Sequence, residues 1–233
     1  MATTGYRFPT SDAAVSGTWV SPTNVQADDG AYATCNLALK NTTSEREQGT
    51  YGFSTSVLPD AATITQVNLK VEWKLTTSAS VIANLGVRAR IGGVNLTLHE
   101  NSAEPTVDTV DIYDITAERS WVPADFRDGT LATRLQGRNG NDASDPGYLF
   151  DYAAVEVVYT IPPPTITAAS LADADRNWAT PSQDIAVTFS EAMDITPAPN
   201  VGDTVAGLTA QVNGGADAAL TYVSGNASAN WKL

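Results

Sequence analysis

His99 is the residue of this chain best suited to acid–base chemistry, because it is the one histidine present. It lies in Leu96-Thr-Leu-His-Glu-Asn101, at the end of a predicted strand. A Ser–His–Asp triad would have to use it, but no Gly-x-Ser-x-Gly motif accompanies it. One histidine and one cysteine also exclude the usual zinc sets. The sequence therefore predicts no catalytic, cofactor-binding or metal site, and a surface position for His99.

Two loops combine acidic and amide residues as calcium-binding loops do. The first set occupies the first, third, fifth and twelfth positions of such a loop: Asp173, Asp175, Asn177 and Asp184. Trp178 stands where that loop needs glycine, and Pro181 interrupts it, so a solvated loop is the favoured interpretation and calcium the alternative. The second set has no ligand spacing and is explained by turn propensity: Asn139, Asn141, Asp142 and Asp145.

The charge balance of the chain bears on its partners. Lys and Arg number 13 against 26 Asp and Glu, which gives a net charge of −13 at pH 7. Such a surface repels nucleic acid and anionic membranes. No phosphate loop, dinucleotide motif or basic–aromatic patch is present. We therefore expect no nucleic-acid partner and no cofactor.

The cysteine content and the N-terminal residues indicate in which cellular compartment the chain is made. A single cysteine, Cys35, excludes an intrachain disulfide, and we expect it to be a buried small side chain. Residues 1–8 contain no apolar h-region, and no apolar stretch is long enough to span a bilayer. Synthesis in the cytosol and no membrane partner are therefore expected, and the glycosylation patterns at Asn41, Asn95 and Asn226 then carry little meaning.

Alternation of apolar and polar residues predicts a β protein. The strongest run, 67–75, places five apolar side chains on one face: Val67, Leu69, Val71, Trp73 and Leu75. Residues 81–91 repeat the pattern, and Gly92-Gly93 then turns the chain into a hairpin that continues to residue 98. Antiparallel strands with one apolar face imply two sheets packed face to face.

Later segments extend this pattern. Strands are expected at 131–135 and 155–159, whereas 107–118 could hold a turn or two of helix. Trp73 is in phase with four aliphatic residues and is expected in the core. Trp19 and Trp121 are expected to fill the sandwich or its ends. Because Trp121 lies in a loop context, an exposed aromatic platform for sugars is the alternative for it.

Three consecutive prolines, Pro162 to Pro164, separate two β patterns and favour a stiff spacer. The predicted organisation is an extended N-terminal arm (1–20), a β-sandwich (21–161), a proline linker (162–164) and a second β-sandwich (165–233). The arm could lie across a neighbouring subunit. The second sandwich stops in what reads as the start of a strand, 230–233, so we expect it to be incomplete, with an open edge that another chain covers.

Several segments resemble known modules. Trp19–Thr34, which contains Ala27-Asp-Asp-Gly-Ala-Tyr32, together with Tyr51–Val67 and Phe150–Tyr159, resembles a β-sandwich module common in bacteriophage virion proteins. Ile185-Ala-Val-Thr-Phe-Ser-Glu-Ala-Met-Asp194 resembles a strand of bacterial immunoglobulin-like domains. The resemblance implies an all-β fold: an antiparallel, jelly-roll-like sandwich followed by an immunoglobulin-like one.

The resemblance also implies a function and carries no catalytic residues. The leading hypothesis is a structural accessory protein on the exterior of a phage capsid or tail, of decoration or fibre type. Its partners would be other virion proteins, and it would be a homo-oligomer or particle-bound. The alternative hypothesis is a carbohydrate-binding or adhesin module of a host-recognition fibre, with a host surface glycan as ligand. Paired carboxylates for glycoside hydrolysis cannot be identified in so acidic a chain, and no enzyme is expected.

Overall fold

The structure is a computed structural model and describes residues 1–35, 37, 41–77, 83–140, 147–162, 166–171, 185–193, 204–210, 218–221 and 228–232. The chain divides into two compact units, Met1–Pro162 and Pro163–Leu233. The described residues form strands joined by loops and three short 3-10 helices, and none of them forms an α-helix. The all-β, antiparallel fold predicted from the sequence is confirmed.

The described residues of the first unit form twelve strands. In chain order they are β1 Ala2–Thr3, β2 Ser11–Ser16, β3 Trp19–Val20, β4 Ala33–Cys35, β5 Thr42–Gly49, β6 Thr63–Leu75, β7 Ala83–Ile91, β8 Val94–Asn95, β9 His99–Asn101, β10 Thr109–Asp114, β11 Leu131–Asn139 and β12 Tyr148–Thr160. Sheet A has the order β10-β6-β12-β4-β3, with β1 also paired to β12. Sheet B has the order β2-β5-β11-β7-β8, with β9 also paired to β7.

One hydrophobic core lies between the two sheets. Strand β6 buries every member of the predicted apolar face, with Trp73 fully enclosed. Buried side chains of sheet B, such as Leu85, Val87 and Leu135, belong to the same cluster. Each fully buried aliphatic side chain contributes about 1.5–3 kcal/mol to stability. The predicted sandwich and the predicted burial of Cys35 are confirmed.

The hairpin and the later strands differ from the predictions in extent. The turn at Gly92-Gly93 has positive φ at both residues and joins β7 to β8, but β8 ends at Asn95 and not at residue 98. The segment 107–118 contains strand β10, and only Thr116–Glu118 forms a 3-10 turn. Because β10 is an edge strand with both exposed and half-buried positions, its sequence carries no clear apolar face.

The predicted N-terminal arm is wrong, because residues 1–20 belong to the sandwich. Strand β1 pairs with β12, Thr4 N donates to Val157 O at 3.0 Å, and Arg7 forms a bridge with Val155. Strand β2 pairs with β5 at one edge of sheet B. The backbone groups of an extended segment need partners, and the free edges of β12 and β5 in the same chain supply them.

The second unit is described by five strands: β13 Ile166–Leu171, β14 Ile185–Met193, β15 Thr204–Ala210, β16 Ala218–Thr221 and β17 Ser228–Lys232. They form a three-stranded sheet, β13-β14-β17, and a two-stranded sheet, β15-β16, both antiparallel. The residues predicted to start a strand near 230 lie in β17, which pairs with β14. The immunoglobulin-like assignment stays a prediction.

Candidate functional site

The outer face of sheet B has a depression where three neighbouring strands carry small residues. Gly49 of β5 pairs with Ser11 of β2 on one side and with Ala132 of β11 on the other. Ala132 in turn pairs with Arg90 of β7, whose long side chain closes this row. Small side chains beside a long one leave a pocket on the sheet surface, and all four residues line it.

Loops at the same end of sheet B form one wall of the pocket. Thr50 follows β5, Gly129 and Thr130 precede β11, and Gly93 lies in the turn between β7 and β8. The backbone N of Gly92 donates to Thr130 O at 2.9 Å, which ties that turn to the residues before β11. The hydroxyls of Ser11 and Thr50 lie 2.9 Å apart. The wall therefore presents hydroxyl and backbone groups held by local hydrogen bonds.

Thr50 has a backbone conformation that its side chain disfavours. Its φ of 58° lies in the left-handed region, which β-branched residues rarely adopt. Gly93 and Gly129, in the same wall, also have positive φ, at 89° and 83°. A non-glycine residue in such a region costs about 1–3 kcal/mol, and strain of this kind concentrates at functional sites. The strain at Thr50 supports this pocket as a candidate site.

The side chains of Glu47 and Arg90 form the opposite wall, and further charged residues adjoin them. Arg90 Nη1 lies 3.2 Å and 3.0 Å from the two carboxylate oxygens of Glu47, and Arg90 Nε donates to Gly93 O at 3.0 Å. Arg134 Nε donates to Glu47 Oε2 at 3.1 Å, and Arg88 Nη2 donates to Glu45 Oε1 at 2.6 Å. These five residues run across β7, β11 and β5 and are called the ionic ladder below: Glu45, Glu47, Arg88, Arg90 and Arg134.

The pocket suits a small polar ligand. Its volume is about 160 Å³, which is room for roughly five waters at roughly 30 Å³ each. The lining residues are Ser11, Glu47, Gly49, Thr50, Arg90, Gly93, Gly129, Thr130, Leu131 and Ala132. Hydroxyls donate and accept hydrogen bonds, a carboxylate accepts them and a guanidinium donates them. The arrangement can orient a molecule with several hydroxyl groups.

His99 is half-buried at the sandwich edge and is not a free surface residue. Its Nε2 lies 2.6 Å from Glu118 Oε1, and its ring packs against that of Tyr113, with centroids 5.0 Å apart. The other carboxylate oxygen of Glu118 accepts the backbone N–H of Thr97 at 3.1 Å. These contacts hold the segment between β8 and β9 against the neighbouring loop. That His99 has no catalytic role stays a prediction.

An acidic cluster lies on the opposite side of the sandwich. Among the described residues, Asp28, Glu72 and Asp151 form the group that could hold a metal ion, with one ligand atom from each lying within 4.8 Å of the others. Burial raises the pKa of Asp151, although the backbone N–H groups of Asp29 and Gly30 oppose this. Burial also raises the pKa of Glu72, and the charges of Asp151 and Asp28 add to that rise.

The raised pKa of Glu72 predicts a specific pH dependence. A carboxyl group with a raised pKa in the folded state stabilises the fold below its unfolded pKa, roughly 4.3 for Glu, and loses that contribution as pH rises through the folded pKa. We therefore expect Glu72→Gln to melt at a higher temperature than the wild type at pH 7, with the difference vanishing near pH 4. Calorimetry in chelator-containing buffer measures it.

Asp114 provides the matched control for this experiment. Hydrogen bonds from the Thr116 side chain and backbone lower the pKa of Asp114, so its stabilising contribution is present at pH 7 and is lost on acidification. Asp114→Asn should therefore melt below the wild type at pH 7. If both variants shifted melting in the same direction at pH 7, this account of the two carboxyl groups would be wrong.

The structure places the remaining sequence candidates as follows. Trp73 is buried, as predicted, and Trp121 is buried too: its Nε1 donates to Ile115 O at 3.2 Å and its ring stacks on Phe126. Trp19 is half-buried and stacks on Phe150. In the described part of the chain these tryptophans therefore form no exposed sugar platform.

Of the acidic and amide residues considered for calcium, Asn139 is buried in β11. These candidates lie outside the described residues: Asn141, Asp142, Asp145, Asp173, Asp175, Asn177 and Asp184.

The pocket residues were missed by sequence reasoning. Ser11, Gly49, Thr50, Arg90 and Ala132 are far apart in the chain and share no motif. They meet because β2, β5, β11 and β7 are neighbours in one sheet with a fixed register. The one usable signal was a threonine directly after Gly49 at a strand end, which is too common a pattern to indicate a site.

Comparison with known proteins finds solved structures that are similar to parts of this chain. No family model and no curated protein matches the chain. A CBM4 structure is similar over 66% of this chain and 95% of its own length, at 9% identity and a TM-score of 0.38. A family 16 carbohydrate-binding module covers 53% of this chain and 74% of its own length, at 13% identity and a TM-score of 0.30.

A third similar structure is the CBM36-1 domain of a multidomain xylanase from the hindgut metagenome of Trinervitermes trinervoides. It covers 67% of this chain and 97% of its own length, at 7% identity and a TM-score of 0.30. At such identities and TM-scores, these likenesses bear on neither the ligand nor the mechanism of this chain.

In the described part of the chain, no helix has the length and apolar character needed to cross a bilayer.

Proposed function

We propose that this chain is a non-catalytic binding protein whose first sandwich recognises a saccharide in the pocket at the end of sheet B. The pocket itself carries the proposal. Its floor is made of the small residues Ser11, Gly49 and Ala132, and its walls present hydroxyls on one side and the Glu47–Arg90 pair on the other. Sugar hydroxyls both donate and accept hydrogen bonds, so such a mixed lining complements them.

The geometry also supports a modest affinity. No described aromatic side chain lines the pocket, so the ligand gains hydrogen bonds without the stacking that drives tight binding of sugar rings. Hydrogen bonds exchanged with water contribute about 0.5–1.5 kcal/mol each. We expect a Kd of about 1 mM for a single sugar unit, which corresponds to roughly 4 kcal/mol.

The pocket offers little for glycoside hydrolysis. That reaction uses two carboxyl groups flanking the scissile bond, whereas Glu47 is the one carboxylate among the described lining residues. The Glu47 oxygens already accept hydrogen bonds from Arg90 and Arg134, and the described lining offers no second carboxyl group to act with Glu47. Absence of catalysis is therefore part of this proposal.

The virion role rests on the resemblance of the sequence segments and stays a prediction, as do particle assembly and oligomeric state. A saccharide-binding sandwich is compatible with the alternative hypothesis of a host-recognition fibre. Of the two hypotheses, the binding module is the one that a described feature of the molecule supports.

Filling the pocket tests the proposal. Ala132→Leu adds three carbon atoms to the floor from a half-buried position on the outer face, and we expect it to reduce saccharide binding at least tenfold. The expected change in melting temperature is small, because the core face of β11 is untouched. A panel of immobilised glycans followed by titration calorimetry of the full chain measures binding.

Thr43→Leu is the matched control, because Thr43 is exposed on the outer face of β5 and does not line the pocket. This variant should bind as the wild type does. Equal binding by the wild type and Ala132→Leu would place any saccharide site elsewhere. Failure of the wild type to bind any glycan would contradict the proposed function itself.

A further inference from the structure

Arg90 has donors that the protein does not use. Its Nε and Nη1 groups are engaged by Gly93 O and by Glu47. Its Nη2 donates no hydrogen bond to any described residue, and the side chain is 29% exposed where it lines the pocket. A guanidinium presents five N–H donors in a rigid plane. The Nη2 group is therefore a pre-oriented donor available to a ligand.

The ionic ladder around Arg90 contains more arginines than glutamates. It holds three arginines and two glutamates, so these five side chains together carry a charge of +1. The chain as a whole has a net charge of −13. The Glu47 carboxylate, which would repel an anion, accepts hydrogen bonds from two of these arginines.

We infer that the saccharide bound in this pocket carries a carboxylate, as uronic acids do, and that the carboxylate lies against Arg90 Nη2. This inference rests on the proposed function and names the ligand class of the same site. A guanidinium–carboxylate contact is a charge-assisted hydrogen bond and is about twice as strong as a neutral one. The Ser11 and Thr50 hydroxyls would then form hydrogen bonds with the ring hydroxyls of the same sugar.

A matched pair of ligands tests the inference. Methyl galacturonoside and methyl galactoside differ in a carboxylate at one carbon and are otherwise alike. We expect the full chain to bind the acid at least tenfold more tightly at low salt, with the preference shrinking as sodium chloride is added. Arg90→Gln should remove the preference and leave both ligands with the affinity of the neutral one.

Lys74→Gln is the control for net charge. It also removes one positive charge, but Lys74 lies on sheet A, where it pairs with Asp108. This variant should keep the preference for the acid. If Lys74→Gln lost the preference as Arg90→Gln does, the effect would come from overall charge, and the assignment to Arg90 would be wrong.

The outcomes separate this inference from the proposed function. Equal affinity for acid and neutral sugar would overturn the inference and leave the saccharide site in place. If the full chain bound neither sugar and no glycan on the panel, both the inference and the proposed function would be overturned. Acetate that competes for the pocket as well as galacturonoside does would show an anion site without saccharide recognition, which also overturns the inference.

Discussion

Replacing Trp73 with alanine is expected to lower the free energy of unfolding by about 3–5 kcal/mol. The Trp73 ring is fully buried in β6 and stacks on Tyr148, with centroids 6.2 Å apart. Removal of such a ring loses apolar burial and leaves a cavity between the sheets. Chemical denaturation of the full chain, followed by fluorescence and circular dichroism, measures the loss in the transition of the first unit.

Trp73→Phe separates packing from hydrogen bonding. Trp73 Nε1 donates to Asp111 Oδ2 at 2.7 Å, and the same oxygen also accepts from Asn101 Nδ2 at 2.8 Å. Because Asp111 still accepts the hydrogen bond from Asn101, the free energy of unfolding of the phenylalanine variant should fall by only about 1–2 kcal/mol. Trp73→Ala with no measurable loss would place this ring outside the core and would contradict the packing described for sheet A.

Replacing Thr50 with glycine is expected to stabilise the fold and to weaken ligand binding. Glycine adopts a φ of 58° without the steric cost that a β-branched residue carries there, so relief of strain should contribute about 1 kcal/mol. The same change deletes the hydroxyl that lies 2.9 Å from Ser11 Oγ in the pocket wall. Saccharide affinity should fall about tenfold, equivalent to roughly 1.4 kcal/mol.

Asn41→Gly is the control for this change. Asn41 also has a positive φ, 54°, but it does not line the pocket, and asparagine tolerates the left-handed region. This variant should change both stability and binding very little. A Thr50→Gly protein that bound saccharide normally would mean that the strain at Thr50 serves the turn after β5 and not the site.

The core was predictable from sequence because it depends on local periodicity. From Val67 to Leu75 of β6 the apolar residues alternate without interruption, so this part of the strand, its buried face and the position of Trp73 follow from pleat geometry alone. The strands predicted at 131–135 and 155–159 follow for the same reason and lie within the longer strands β11 and β12. Edge strands were less predictable: β10 has Val110 and Ile112 exposed and half-buried Asp111 and Tyr113 on the other face, which reverses the usual alternation.

Features that depend on strand order could not be predicted. The N-terminal segment was expected to leave the domain, because nothing local indicates that β1 pairs with β12 or β2 with β5. The pocket has the same origin. Its floor requires Ser11, Gly49 and Ala132 to share a row, and that row exists only once the register of three strands is fixed.

The most direct test of the account is to locate a bound saccharide on the molecule by amide chemical-shift mapping. The full chain would be titrated with the tightest ligand from the glycan panel. The largest shifts are expected at the amides of Gly49, Thr50, Arg90, Thr130 and Ala132, with the amides of sheet A unchanged. Shifts centred on sheet A or on the second unit, with these five amides unmoved, would contradict it.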